Sequence, residues 1–126
     1  MGSRRQCDKL IVGGRVNIPP RGSIVIHVIA TIEVKPGKRE AFLAEFRKLI
    51  PPVRAEAGCL EYGPAIDLPT NIFGQAPERK DVIVIFERWK CLDDLRAHLI
   101  EPHMKEYRER VKDIVVGLQI QILEPA

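Results

Sequence analysis

The stretch DVIVIFERWKCLDDLRAHLIEPH, residues 81–103, predicts a strand that leads directly into a helix. Residues 82–86 are β-branched or aromatic without a break, which is typical of a strand covered on both faces. Alternation places Glu87 and Trp89 on one face of that strand. Leucines at 92, 95 and 99 then follow helical spacing, and Pro102 should end or bend the helix. With His98 and His103 nearby, this junction is where we expect a small-molecule site.

The rest of the chain predicts three more strands and one more helix. The strands are expected at residues 24–34, 59–68 and 114–123, and the first helix at about 38–57. Pro51 and Pro52 should break that helix near Ile50 and leave a short second piece at Val53–Ala57. The order β-α-β-β-α-β predicts an α+β, ferredoxin-like fold with a four-stranded antiparallel sheet.

Two helices can cover only one face of such a sheet. The first and third strands are apolar on both faces, so their second face also needs a cover. We expect a second copy of the chain to supply it, which predicts an obligate homodimer.

Length and composition limit the class of protein. The 126 residues fit one domain, with residues 1–23 as a flexible extension and residues 24–126 as the folded domain. Of the net charge of +3, roughly +4 falls in the first 22 residues, so the rest of the chain offers no basic face for nucleic acid. No apolar run approaches the length of a membrane span. The three cysteines favour neither a disulfide framework nor a zinc site, and we expect reduced thiols in a cytoplasmic protein.

Four motifs, taken in this order and spacing, resemble the antibiotic biosynthesis monooxygenase family. They are VKPGKREAF at 34–42, RAEAGCLEYGPAID at 54–67, FERW at 86–89 and AHLIEPH at 97–103. The family consists of small dimeric α+β barrels and includes quinol monooxygenases. The resemblance implies oxidation of a small aromatic, quinol or anthrone-like substrate by O2 without a metal, flavin or other cofactor, in a pocket between sheet and helices.

Some relatives in this family degrade haem instead. Their pattern has an asparagine, a tryptophan and an iron-binding histidine where this chain has Ala30, His98 and Arg108. All three positions depart from the pattern, so haem degradation is disfavoured.

The alternative to an enzyme is a dimeric ligand-binding or stress-response protein with the same fold and no catalytic activity.

Two histidines are candidates for the site. Oxygenation without a cofactor requires a base that deprotonates the substrate, and His98 suits this role because imidazole titrates near neutrality. The alternative for His98 is a structural histidine bonded to a backbone carbonyl. His103 is a candidate for substrate binding, although a helix cap or surface position is the simpler explanation for a histidine that follows Pro102. Their spacing of five residues does not place them on one helical face, so no metal site is predicted.

Four other residues complete the candidate site. Tyr62 is assigned a catalytic role as a hydroxyl donor to a substrate oxygen, and Trp89 is expected to stack on a flat substrate. Glu87 lies on a largely apolar face and needs a partner or a raised pKa, with Arg54 as the expected ion-pair partner. Glu87 and Arg54 are also candidates for substrate binding. Each of the four has a structural explanation as well: Tyr62 as a half-buried sheet residue with its hydroxyl in water, Trp89 as a packed core ring, and Glu87 with Arg54 as a structural ion pair.

Overall fold

The computed structural model describes residues 24–126, so the predicted extension at 1–23 lies outside the described residues. Seven elements follow one another in this part of the chain. They are β1 (Ile26–Val34), α1 (Arg39–Arg54), β2 (Cys59–Ala65), β3 (Val82–Trp89), α2 (Leu92–Leu99), α3 (Pro102–Val111) and β4 (Val115–Leu123).

The four strands form one antiparallel sheet in the order β2-β3-β1-β4. In the central pair, Ile26 lies opposite Trp89 and Ala30 lies opposite Ile85. β4 pairs with the other edge of β1, where Ile120 lies opposite Ala30. This is the ferredoxin-like α+β arrangement, so the predicted fold class is confirmed.

α1 packs one face onto the sheet. Phe42, Phe46, Leu49 and Val53 are buried on that face. The helix continues through Pro51 and Pro52 to Arg54, so the predicted break near Ile50 is wrong. Burial of each aliphatic side chain contributes about 1.5–3 kcal/mol, which is comparable with the roughly 3 kcal/mol that an interior proline costs. Packing of Leu49 and Val53 therefore keeps the last turn helical.

The second helical region consists of two helices, as the position of Pro102 predicts. α2 ends at Leu99, and α3 begins at Pro102, which occupies the first helical position, where the missing amide donor costs nothing. α2 buries Leu95 and His98, and α3 buries Met104, Tyr107 and Val111. The inward faces of these short helices thus lie over the sheet.

The helices leave two surfaces of the sheet uncovered. On the face away from the helices, Phe86 is exposed and Ile29 and Val84 are half-buried. On β4, the side chains of Leu118, Ile120 and Ile122 are exposed although they share the helix-facing side with buried residues of β1. A single chain therefore exposes an apolar surface on both sides of the sheet.

The two cysteines of the described residues differ in oxidation state. Cys59 is a free thiol, whereas Cys91 is disulfide-bonded, so the expectation of reduced thiols is wrong for Cys91. Within residues 24–126, no helix combines the length and apolar character that a membrane crossing requires.

Candidate functional site

A cavity of about 360 Å³ lies between the helix-facing side of the sheet and helices α2 and α3. Its wall is mainly apolar, with four polar side chains from the interior, Tyr62, Glu87, His98 and Tyr107, and two exposed cations, Arg108 and Lys112. β4 contributes Leu118 and Ile120 where no helix covers it. The remaining lining residues are Ala30, Ile32, Phe46, Ile85, Leu99, Met104, Val111 and Val115.

His98 is the basic group of this wall. Only 1% of its surface is exposed, and its Nδ1 atom lies 3.1 Å from both carboxylate oxygens of Glu56. Burial lowers the pKa of His98, and the hydrogen bond with Glu56 opposes that change only in part. The imidazole is therefore neutral near neutral pH, as a base must be before it accepts a proton.

Glu87 is the acidic group of the wall. Its Oε1 atom accepts a hydrogen bond from Nε1 of Trp89 at 2.9 Å. Burial raises the pKa of Glu87 to about 7, although the Trp89 hydrogen bond acts in the opposite direction. The expected ion pair with Arg54 is wrong, because Arg54 instead donates from Nε to the backbone carbonyl of Tyr62 at 3.1 Å.

Tyr62 lies on β2, where its ring is almost fully buried. The ring packs on Phe46 with centroids 5.4 Å apart and lies edge-on to His98 at 5.5 Å. Burial raises the pKa of its hydroxyl far above the usual value, so the group stays protonated. It can donate a hydrogen bond to a bound molecule but cannot act as a base.

The structure places three of the six candidate residues in the cavity wall and three outside it. His98, Tyr62 and Glu87 line the cavity, whereas Trp89, His103 and Arg54 do not. Trp89 is fully buried beneath His98, with ring centroids 4.7 Å apart, so the predicted stacking on a substrate is not supported. His103 contacts Glu56 and Arg54 contacts the β2 backbone, and substrate binding by these two residues stays a prediction.

Glu56 is the residue that sequence reasoning missed. It lies between α1 and β2, and its side chain is 8% exposed and contacts both His98 and His103. A single glutamate after an amphipathic helix is usually solvated, so its sequence position carried no signal.

The wall combines groups that suit proton transfer on a flat apolar molecule. A neutral imidazole can accept a proton, and a protonated phenol can hold the resulting oxyanion. Apolar surroundings strengthen both interactions because they exclude water. Within the described part of the chain, no cluster of three or more histidine, cysteine, aspartate or glutamate side chains is arranged to hold a metal ion.

Comparison with known proteins identifies the family of the chain. The sequence pattern of the family described as antibiotic biosynthesis monooxygenase matches residues 25–110. The chain is 41% identical over 103 residues to the Escherichia coli K12 protein named "Probable quinol monooxygenase YgiN", which covers 80% of this chain and 98% of the relative.

Two solved structures illustrate the shared architecture. Protein PA3566 of Pseudomonas aeruginosa superposes with a TM-score of 0.69 at 27% identity, over 85% of this chain and 99% of that one. Rv0793 of Mycobacterium tuberculosis gives a TM-score of 0.67 at 27% identity, over 81% of this chain and 95% of the other. The chain therefore shares its fold with these two proteins over most of its length.

Proposed function

The chain belongs to the antibiotic biosynthesis monooxygenase family, and from that premise we propose that it oxidises a small aromatic, quinol or anthrone-like substrate with O2. The observation that carries the proposal is the buried, neutral imidazole of His98 in the wall of an apolar cavity. A relative named for quinol oxidation, matched over nearly its full length, supports the substrate class.

Proton removal is the first step that the site supports. Nε2 of His98 takes a proton from the substrate, and the electron pair of the broken bond stays on the substrate as an oxyanion or enolate. The hydroxyl of Tyr62 donates a hydrogen bond to the developing negative charge. An anion of this kind is electron-rich, which is what reaction with O2 requires.

Oxygen insertion then needs no further oxidant. The substrate anion transfers one electron to O2, and the two radicals combine to form a carbon–peroxide bond. Loss of a second proton from the same carbon cleaves the O–O bond, leaving a carbonyl on the substrate and releasing water. For anthrone, one O2 is consumed, and one quinone and one water are formed. We therefore propose that the protein has no resident cofactor.

Assembly as a homodimer is part of the proposal. The face of the sheet opposite the helices carries Ile29, Val84 and Phe86, and a second copy would cover this apolar surface. Location in the cytoplasm remains a prediction from the sequence. The disulfide at Cys91 argues against the reduced state that this prediction assumed.

Turnover of reduced aromatic substrates tests the proposal. Anthrone and 1,4-naphthohydroquinone would be incubated with the protein under air and under argon, with absorbance recorded against a protein-free blank. We expect product only under air, and a loss of about 10²–10⁴-fold in kcat for His98→Ala. A circular dichroism melt would show that this variant is folded.

The same assay separates the enzyme from a ligand-binding protein. If quenching of Trp89 fluorescence shows that the substrates bind, while no substrate in the panel turns over above the blank, the protein is a binding module. That outcome would contradict the proposal.

A further inference from the structure

One carboxylate is shared between two imidazole rings at the edge of the cavity. Glu56 contacts Nδ1 of His98 at 3.1 Å through both oxygens, and its Oε2 atom lies 2.5 Å from Nε2 of His103. The three residues come from the α1–β2 turn, α2 and α3. His103 is 24% exposed, whereas Glu56 and His98 are nearly buried, so the cluster leads from the cavity towards solvent.

The turn that carries Glu56 is held firmly. The amide of Glu56 donates to the carbonyl of Val53 at 2.9 Å, and the carbonyl of Gly58 accepts from the amide of Lys90 at 2.8 Å. Gly58 has φ +82°, and a Cβ atom there would come within 1.9 Å of Oδ2 of Asp94. This close contact with α2 fixes the turn relative to the helix that carries His98.

The contact with Glu56 determines which nitrogen of His98 is free. A carboxylate accepts hydrogen bonds, so Nδ1 must carry the proton that His98 shares with Glu56. Within residues 24–126, Nε2 of His98 has no hydrogen-bond partner. Nε2 is therefore the unprotonated nitrogen, and it is the one available to a molecule in the cavity.

We infer that Glu56 is a positioning residue for the proposed oxygenation, acting through His98. This inference rests on the proposed function. When the substrate proton bonds to Nε2, His98 becomes an imidazolium and the substrate an anion, so one bond breaks, one forms and charge is conserved. The carboxylate of Glu56 stabilises that imidazolium. The contact between Oε2 of Glu56 and His103 keeps the carboxylate in place beside His98.

The surroundings of His98 make Glu56 the decisive charge. His103 and Arg108 both disfavour protonation of His98, as does burial. The rings of Tyr62 and Trp89 pack on the imidazole, and Glu87, which also lines the cavity, accepts a hydrogen bond from Trp89. Without Glu56, the remaining influences of burial and positive charge all lower the pKa of His98.

Substitution of Glu56→Gln tests the inference by kinetics. With anthrone, we expect kcat to fall by at least about 10–100-fold, the loss seen when the carboxylate partner of a metal-bound histidine is removed. KM should change little, because Glu56 does not line the cavity. The acidic limb of the pH–kcat/KM profile should move to lower pH, because His98 becomes less basic.

A surface glutamate provides the matched control. Glu61→Gln removes an exposed carboxylate that pairs with Arg88 on the sheet, and it should leave kcat and the acidic limb unchanged. If part of the Glu56→Gln protein were merely unfolded, the apparent kcat would fall, but the acidic limb of the pH–kcat/KM profile would stay at the same pH. Unchanged kcat and an unchanged acidic limb in folded Glu56→Gln would overturn the inference while the proposed function stands.

Nuclear magnetic resonance of the resting protein supplies a readout that does not depend on turnover. Nitrogen-15 shifts of the imidazoles should show His98 with Nδ1 protonated in the wild type, and a lower pKa of His98 in Glu56→Gln. Protonation at Nε2 in the wild type would overturn the inference. An absence of turnover by the wild type would instead overturn the proposed function and, with it, this role of Glu56.

Discussion

Trp89 and Glu87, two residues apart on β3, are joined by a hydrogen bond of 2.9 Å inside the protein. The indole N–H satisfies one oxygen of a carboxyl that burial would otherwise leave unpaired. Because the indole of Trp89 also packs against His98, and Glu87 lines the cavity, Trp89 contacts both the acidic and the basic group of the site. The protonation of Glu87 should therefore affect the pH dependence of the unfolding free energy.

Glu87→Gln should change how stability depends on pH. The folded pKa of Glu87 is about 7, raised from 4.5, so the folded state binds the proton more tightly than the unfolded chain does. The contribution of Glu87 to stability is therefore complete below about pH 4.5 and is lost as pH rises through about 7. Glutamine stays neutral and can still accept from Trp89, so the variant avoids that loss.

Urea unfolding at pH 5 and pH 8.5 measures this effect. Relative to the wild type, the variant should gain about 2–3 kcal/mol in unfolding free energy between the two pH values. The same stability difference at both pH values would show that Glu87 does not titrate in this range.

Gly58→Ala should destabilise the protein far more than Gly37→Ala. Both glycines have positive φ, but a Cβ at Gly37 would meet nothing within 4 Å, whereas one at Gly58 would collide with the side chain of Asp94. Backbone strain alone costs about 1–2 kcal/mol. The loss of unfolding free energy in Gly37→Ala should therefore equal this strain, and the loss in Gly58→Ala should exceed it by the cost of the collision with Asp94. Thermal and urea unfolding of both variants give the comparison, and equal losses would mean that the Asp94 contact is not tight.

Phe86→Asp should convert the proposed dimer to a monomer. Phe86 lies on the face of the sheet away from the helices, and a charge at the centre of a packed apolar surface is strongly unfavourable. Ile100→Asp is the control, because Ile100 is exposed at the end of α2, on the helix side of the sheet. Size-exclusion chromatography with light scattering reports the mass. A wild type that is a monomer at all concentrations would contradict the proposal.

Removal of metals should leave the activity intact. The proposed chemistry uses O2 and the substrate anion alone, so dialysis against EDTA should not change kcat with anthrone. The absorption spectrum of the active protein should show no flavin or haem bands. Loss of activity on dialysis, followed by recovery with one added divalent metal, would show that the reaction depends on a metal.

Much of the architecture was predictable because it depends on local patterns. Stretches rich in β-branched residues marked β1 and β3, and helical spacing of leucines marked α2. The inward position of His98 followed from its place at the margin of the apolar face of α2. These features can be predicted from residues that are close together in the sequence.

The errors arose where tertiary contacts override local preference. α1 continues through Pro51 and Pro52 because Leu49 and Val53 are buried on either side of them. Glu56 is distant in sequence from His98 and His103, so only the folded chain reveals the cluster. For Trp89, alternation gave the correct face of β3 but not its depth behind the cavity wall.

Oxygen-18 labelling tests the central claim most directly. Anthrone would be oxidised under ¹⁸O2 by the wild type and by folded His98→Gln, with rapid extraction and mass spectrometry of the quinone. The account predicts one labelled oxygen per product molecule, formed by the wild type well above the protein-free rate and by the variant at close to that rate. Equal rates for the two proteins, or product oxygen derived from water, would contradict it.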